Sequence, residues 1–459
     1  MRGVRPNILL VITHDSGRRL GCYGTGVETP RLDRLAAEGM RFDQYFCTAP
    51  QCSPSRGSIF TGRFPHRNGL MGLAHLGWRL HGAERCLAQY LAEAGYETAL
   101  CGMQHEHDVA DPGRLGYGQI LGGARHMAAV AHEGAQFLAA HASAGRGGRP
   151  PFLLVAGVTE THRPFDRPGY TPDDPAGVDV PAYLPDVPAV RQELAGFGGL
   201  VRAVDAGVGV LLDALATSGL AEDTLVLFTT DHGIAFPRAK GMGYDPGLET
   251  ALLARWPARI PAGAVCGALA SNVDLLPTLL EVAGVPLPPG LDGVGLLPQL
   301  AGGPGDPARR IHFELTWHDR YNPLRGVRGA RWKYVRNFDP ESPEVYLPAD
   351  IYRSPSGEAT RVACYARPRA AEELYDLQLD PGERQNRVGD PACTAIVDQL
   401  REDVAGWMAR TDDPLARGHV APPRDQAERL RREVDGGRLT GPLTAIEAGL
   451  IEGAVGGNG

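Results

Sequence analysis

The segment Cys52-Ser53-Pro54-Ser55-Arg56-Gly57, with Thr61-Gly62-Arg63 downstream, places a nucleophile, hydroxyls and two guanidinium groups in a short span. Ser53 is suited to cap a helix that begins at Pro54, which sets Cys52 just ahead of a helix N-terminus. There the positive end of the dipole stabilises a negative nucleophile. Arg56 then lies one turn in, with a fork that suits an oxyanion. These residues read as an activated cysteine or an anion site, and the alternative is a buried cysteine beside a structural arginine.

Four apolar runs are each followed at once by a polar cluster. Residues 7–12 lead to His14-Asp15, and 97–101 lead to Gln104-His105-Glu106-His107-Asp108. Residues 152–158 lead to Glu160-Thr161-His162, and 224–230 lead to Asp231-His232. In open α/β sheets ligands bind beyond the carboxyl ends of the strands, so these clusters are expected to converge on one cleft. Aspartates with neutral imidazoles make a mixed oxygen and nitrogen shell for a divalent cation, which would attract an anionic substrate. His105 and His107 alternate along an extended stretch, so at most one need face the cleft. His162 precedes Arg163-Pro164-Phe165 and is also suited to shaping a turn.

The elements that must carry these residues alternate between short apolar runs and helical patterns. That pattern predicts an α/β fold: a large, mostly parallel central sheet flanked by helices, with a smaller antiparallel sheet toward the C-terminus. One helix is expected from Pro30, capped by Thr29 and stopped at Gly39. Others are expected near 87–94 and near 200–218. Residues 145–148 are Gly-rich, and 166–190 read as a surface loop. Past Arg309, residues 311–315, 326–335 and 373–377 read as strands of the second sheet. The expected division is a catalytic α/β unit over 1–308, a small-sheet subdomain over 309–415 and an extended tail over 416–459. The tail carries one amphipathic pattern at 425–433 and wraps the body or a neighbour.

The chain has 459 residues and a formal net charge of −8, so there is no basic excess to hold a nucleic-acid backbone. No apolar run approaches the length of a membrane span, and the short stretch ahead of the first strand is not expected to act as a leader. The expectation is a cytoplasmic protein with no membrane partner. Eight scattered cysteines lack any CxxC pair, which indicates neither a zinc knuckle nor a disulfide framework. Gly207-Val208-Gly209 is not a dinucleotide loop, and there is no nucleophile elbow or P-loop.

Cys52-Ser53-Pro54-Ser55-Arg56 with Thr61-Gly62-Arg63 resembles the signature of the type I sulfatases, in the alkaline phosphatase superfamily, and the resemblance runs from about residue 6 to about residue 414. Asn68-Gly69-Leu70-Met71-Gly72-Leu73, Asp231-His232-Gly233-Ile234-Ala235-Phe236-Pro237 and Glu373-Leu374-Tyr375-Asp376 are similar to the sulfamidase branch of that family. The resemblance implies that a separate generating enzyme converts Cys52 to formylglycine. The hydrate of formylglycine attacks sulfur and later expels sulfate. It further implies metal ligands at His14, Asp15, residue 52, Asp231 and His232, with calcium as the first choice and manganese or zinc as alternatives. Arg56 and His105 would support the formylglycine, while His162 and Lys240 would bind the sulfo group and protonate the leaving group.

Two positions depart from the family pattern. His14 stands where an aspartate is usual, which lowers the negative charge of the shell. Met103 stands where a lysine is usual, and Arg18, Arg19 or His107 are candidates to replace that cation. The expected activity is hydrolysis of sulfate monoesters or N-sulfonates, with a sugar as one candidate carrier and loops near His75, Trp78, Trp317 and His318 as candidate substrate contacts. A phosphonate or phosphate ester hydrolase of the same superfamily is the alternative, as is a catalytically inactive sulfatase-like binding protein. A homo-oligomer is compatible with the chain.

Overall fold

Strands that are apolar on both faces need cover on both sides. The computed structural model supplies it and describes residues 5–107, 112–143, 149–257 and 259–456. Asp108 and the Gly-rich 145–148 stretch fall outside those residues. In β1 (Asn7–Thr13), Leu9 and Val11 enter one core, while Ile8, Leu10 and Ile12 enter the opposite one. The first core lies under the helices Pro30–Glu38, Met127–Ser143 and Pro188–Thr217, and the second under Leu87–Glu93 and Leu275–Val282.

The remaining strands of this layer are β2 (Met40–Phe42), β3 (Tyr45–Phe46), β4 (Glu97–Gly102), β5 (Gln119–Leu121), β6 (Phe152–Val158), β7 (Thr224–Thr230), β8 (Leu252–Arg255), β9 (Ala264–Cys266) and β10 (Ala270–Ser271). Seven of these join β1 in one eight-stranded sheet in the order β5-β4-β6-β1-β7-β8-β2-β9, and β3 pairs with β10 alone. The run from β5 to β7 is parallel, and β8 is antiparallel to both its neighbours. The strands that end in polar clusters, β4, β6, β1 and β7, are consecutive neighbours. Thr13 stands level with Val158 and Thr230, and Gly102 with Gly157, so their four loops leave the sheet along one line.

A second, antiparallel sheet holds β11 (Ile311–Trp317), β12 (Tyr321–Arg328), β13 (Trp332–Asn337) and β14 (Glu372–Asp376) in sequence order. The run expected at 326–335 is in fact parts of two strands, because the chain reverses at Gly329, whose N–H donates to the Trp332 carbonyl at 2.9 Å. One face of this sheet packs on the helix Thr394–Arg410 through Val397, Leu400, Val404 and Trp407. The other packs Phe313, Leu315 and Leu324 against Phe46 and Leu248 of the larger layer.

Two further expectations are corrected. The helix expected near 200–218 begins at Pro188, where the ring presets the backbone of the first turn. The tail holds two helices, Arg424–Asp435 and Ala445–Gly456, instead of one. It wraps the body: Ala427, Leu430 and Ile451 enter the core, and Arg320 pairs with Glu447 at 2.6 Å. Among the described residues no helix is long and apolar enough to cross a membrane.

Thr29 does not cap the helix Pro30–Glu38 as expected. Its hydroxyl is turned to Asp33, and the free N–H groups of Arg31 and Leu32 donate to Asp205 at 3.0 and 2.8 Å from the long helix alongside. Asp205→Ala is expected to cost about 1–2 kcal/mol, as loss of an N-terminal cap does, and Asp205→Asn to retain most of it. Urea unfolding of the two variants checks this.

Candidate active site

The helix that carries the nucleophile runs Cys52–Thr61, so Cys52 is its first residue and Ser53 does not cap it. The Ser53 hydroxyl accepts instead from the Ala74 N–H at 3.0 Å, and that of Ser55 donates to the Asp231 carbonyl. These two serines therefore fasten the helix to its surroundings, and Cys52 presents its thiol to the line of strand ends. Its Sγ lies 3.4 Å from His232 Nε2 and 3.7 Å from Asp15 Oδ1. Arg56 is fully buried and is not free to fork onto an oxyanion: its Nε donates to Glu106 at 2.6 Å and its Nη2 to the Met103 carbonyl at 3.4 Å. Only Nη1 is left without a partner among the described residues.

His14, Asp15, Cys52 and Asp231 bring one ligand atom each to within 4.8 Å of one another, all buried. Asp231 Oδ1 is occupied by the N–H groups of Asp15 and His232, each at 2.9 Å. Among the described residues its Oδ2 and both ring nitrogens of His14 have no hydrogen-bond partner, although His14 Nδ1 and Asp231 Oδ2 are 3.3 Å apart. Buried polar atoms without partners are costly and uncommon. A divalent cation that takes Asp231 Oδ2 and one His14 nitrogen, with Asp15 and Cys52 completing the set, would satisfy that pair, so the residues fit one. His232 stands beside the group, with Nε2 at 2.9 Å from Asp15 Oδ1 and Nδ1 donating to the Gly233 carbonyl at 2.9 Å.

The electrostatics point the same way. Burial opposes charge on His14, yet Asp231, Cys52 and Asp15 raise its pKa to about 9. Burial likewise opposes charge on His232, which Asp231 and Asp15 drive well above the ordinary histidine range. Both shifts report a negative potential that calls for a cation. At Cys52 burial alone would raise the thiol, but Lys240, His14 and His232 hold it well below the ordinary value. Lys240 is clamped between Asp15 Oδ2 at 2.8 Å and Asp350 Oδ2 at 3.1 Å. Against the burial penalty, these carboxylates keep it charged.

Residues 6–285 match the Sulfatase family, and residues 237–357 match the family described as N-sulphoglucosamine sulphohydrolase, C-terminal. The chain belongs to the sulfatase family. It is 31% identical to human N-sulphoglucosamine sulphohydrolase, with 89% of this chain and 91% of the relative covered. It is also 31% identical to human arylsulfatase A, over 84% of each. A solved structure of BT4656 in complex with its substrate D-glucosamine-2-N,6-O-disulfate shares the fold, with a TM-score of 0.66, 20% identity, and coverage of 89% of this chain and 99% of that one.

In this sulfatase the other expected residues are distributed unevenly. His105 meets the nucleophile's surroundings: its ring lies 5.7 Å from that of His14, and its Nε2 is 3.1 Å from His75 Nδ1. His162 lies 5.9 Å from the His14 ring, and its Nδ1 donates to the Arg163 carbonyl at 2.8 Å. Glu160 is structural, receiving the Met127 N–H and the Tyr170 hydroxyl. Arg18 and Arg19 do not replace the absent lysine. Arg18 pairs with Glu249 and Arg19 with Asp179, and both line a separate cavity of about 870 Å³. Trp78 and Trp317 are buried and donate to Gln426 and to the Val420 carbonyl of the tail, so they brace the site instead of facing substrate. Arg63 ties its loop to Glu84.

Asp350 is a site residue that the sequence did not reveal. It sits in the first turn of the short helix Ala349–Tyr352, far along the chain from any strand of the larger sheet, and no local pattern marks it. Behind it Asp319 accepts from His318 Nδ1 at 2.7 Å, from the Tyr346 hydroxyl and from the Ala349 N–H at 2.8 Å. Burial would raise the Asp319 pKa, but these donors, with His318 first, bring it from the ordinary 3.8 down to about 2. A lowered carboxylate pKa adds stability that is complete above the ordinary value and lost as pH falls through the folded one. The stability gap between wild type and Asp319→Asn is therefore expected to narrow by about 2 kcal/mol as pH drops from about 5 to 2. Urea midpoints taken across that range read it.

Proposed function

We propose that this sulfatase is a formylglycine-dependent sulfohydrolase that cleaves sulfate monoesters or N-sulfonates borne on a sugar. The seat of Cys52 carries the reading: the signature cysteine opens a buried helix and meets a His14, Asp15 and Asp231 donor set at the ends of adjacent strands. The sulfamidase-type match over residues 237–357 supports the N-sulfonate arm. A generating enzyme as partner matures residue 52. The aldehyde hydrate then supplies the nucleophilic oxygen, and a divalent cation held by His14, Asp15, residue 52 and Asp231, with His232 alongside, would withdraw charge from the sulfo oxygens.

The remaining work falls to side chains already in place. Lys240 fixes Asp15 and, with His162, faces the sulfo oxygens. Arg56 holds the loop that bears His105 against the nucleophile's helix through Glu106. A cavity of about 670 Å³ that includes Asp350, Arg167, Tyr170 and Arg353 in its wall has room for the rest of the substrate.

Co-expression with the generating enzyme is expected to yield a protein whose residue 52 reacts with a hydrazide and which turns over N-sulfoglucosamine or 4-nitrophenyl sulfate. Cys52→Ala falls to background in both assays. Turnover of phenyl phosphonate in preference to both sulfo compounds would favour the phosphonate hydrolase. A persistent thiol with no bound cation would favour an inactive binding protein.

The His14 nitrogen bears on the ion, because calcium takes oxygen ligands whereas manganese and zinc accept imidazole. Calorimetric titration of metal-stripped protein with calcium, manganese and zinc resolves the choice. His14→Asp is expected to strengthen calcium relative to zinc by on the order of tenfold or more.

A further inference from the structure

We propose that, while residue 52 is still a thiol, the chain binds zinc through Cys52, His14 and His105. The inference concerns the unmodified chain and stands apart from the sulfohydrolase reading above. Cys52 Sγ, one nitrogen of His14 and one nitrogen of His105 lie within 4.8 Å of one another. This is a second donor group: it shares His14 and Cys52 with the carboxylate-rich one but has an imidazole in place of Asp15 and Asp231. A sulfur with two imidazoles suits zinc, whereas calcium takes oxygen.

The ring nitrogens show which atoms are left for the ion. His14 Nδ1 faces the carboxylates, 3.3 Å from Asp231 Oδ2 and 3.7 Å from Asp15 Oδ1. A cation on that side leaves His14 Nε2 buried and unanswered, and among the described residues His105 Nδ1 is likewise buried without a partner. His105 Nε2 lies 3.1 Å from His75 Nδ1, with the two rings stacked at 5.4 Å between centroids. A metal-bound imidazole makes such an outer bond, which fixes the ring and keeps its proton on the nitrogen away from the metal. Tetrahedral zinc holds sulfur and nitrogen donors roughly 3.5 Å apart, so short side-chain movements close the group around the ion and leave a fourth position to water.

Other groups in the molecule lack this combination. His66 also has a buried Nε2 without a partner among the described residues, but it joins no donor group there, and its Nδ1 meets Glu314 at 2.8 Å. Asp15, His162 and Asp350 do form a group, yet Lys240 already sets its ammonium between the two carboxylates. No other cysteine among the described residues belongs to one. Conversion of Cys52 removes the sulfur donor, so the site is a property of the immature chain and is lost on maturation.

The test uses the full chain made without the generating enzyme, with the thiol confirmed by mass and folding by thermal unfolding. Metal-stripped protein is titrated with cobalt as a coloured stand-in for zinc, and then with zinc or calcium in competition. The expected result is a thiolate-to-cobalt charge-transfer band in the near ultraviolet that zinc abolishes and calcium does not. Cys52→Ala lacks the band, and Asp231→Asn, which removes an oxygen donor of the other group, keeps it. His75→Ala is expected to weaken zinc by about 10–100-fold with the band retained, and His105→Ala by more than that. A cobalt spectrum without the band, a band that survives Cys52→Ala, or zinc binding that folded His105→Ala leaves unchanged overturns the proposal. Loss of the band in folded Asp231→Asn does so too. None of these outcomes bears on turnover of sulfo compounds by the matured protein, so this inference and the sulfohydrolase reading fail separately.

Discussion

A cluster of buried anions at the end of the central sheet sets the terms for the rest of the molecule. Asp15, Asp231, Glu106 and the Cys52 thiol are almost wholly withdrawn from water. An unpaired charge in such a place costs several kcal/mol, so each must meet a counter-charge, a proton or a metal. Arg56 answers Glu106 and Lys240 answers Asp15, while His14 and Asp231 face each other at 3.3 Å, where a shared proton or a metal answers the charge. Structural stability and catalytic potential thus draw on the same charges.

Lysine usage makes the point sharply. The chain has only two lysines, Lys240 and Lys333, and both are buried between carboxylates. Lys240 lies between Asp15 and Asp350, and Lys333 between Asp245 and Glu383. The exposed cations are arginines. An ammonium is a compact point charge on a flexible stem, and each of these two meets a pair of carboxylates, as the fully buried fork of Arg325 meets Glu314 and Asp413. Lys333 secures the second sheet to the larger layer, and Lys240 joins the nucleophile's surroundings to Asp350. One residue type thereby serves both the docking of the smaller sheet and the chemistry.

That docking explains why the C-terminal third matters for function. Asp350 comes from it, with Asp319 behind, and the tail helices fix the segment beside Asp319: Gln426 donates to the His318 carbonyl and Glu447 pairs with Arg320. The site is therefore closed by chain that lies after the parallel sheet is complete. The place of the absent lysine is occupied by Met103, which is buried and whose carbonyl is used by Arg56. Imidazoles surround the nucleophile: His14, His75, His105, His162 and His232 lie in its neighbourhood. The site thus relies less on permanent positive charge and more on groups whose charge follows their neighbours.

Much of this was legible along the chain because it is governed by local rules. Continuous apolar runs marked β1, β4, β6 and β7, and the residue types at their ends marked His14, Asp15, His162, Asp231 and His232. A local signature marked Cys52. Strands of two to four residues, such as β3 and β10, left no pattern long enough to read. Ser53 and Thr29 have the chemistry of caps, yet tertiary partners claimed their hydroxyls, and Asp205 capped a helix from far along the chain. Asp350 lay outside any motif, because its role follows from where a second sheet docks. Sequence alone determined the elements and the reactive residues at their ends, since backbone periodicity and side-chain chemistry are local properties. Tertiary structure alone decided which charges pair, that Arg56 belongs to Glu106 and Lys240 to both Asp15 and Asp350. Burial makes those pairings compulsory, but only the packing of distant segments selects the partner.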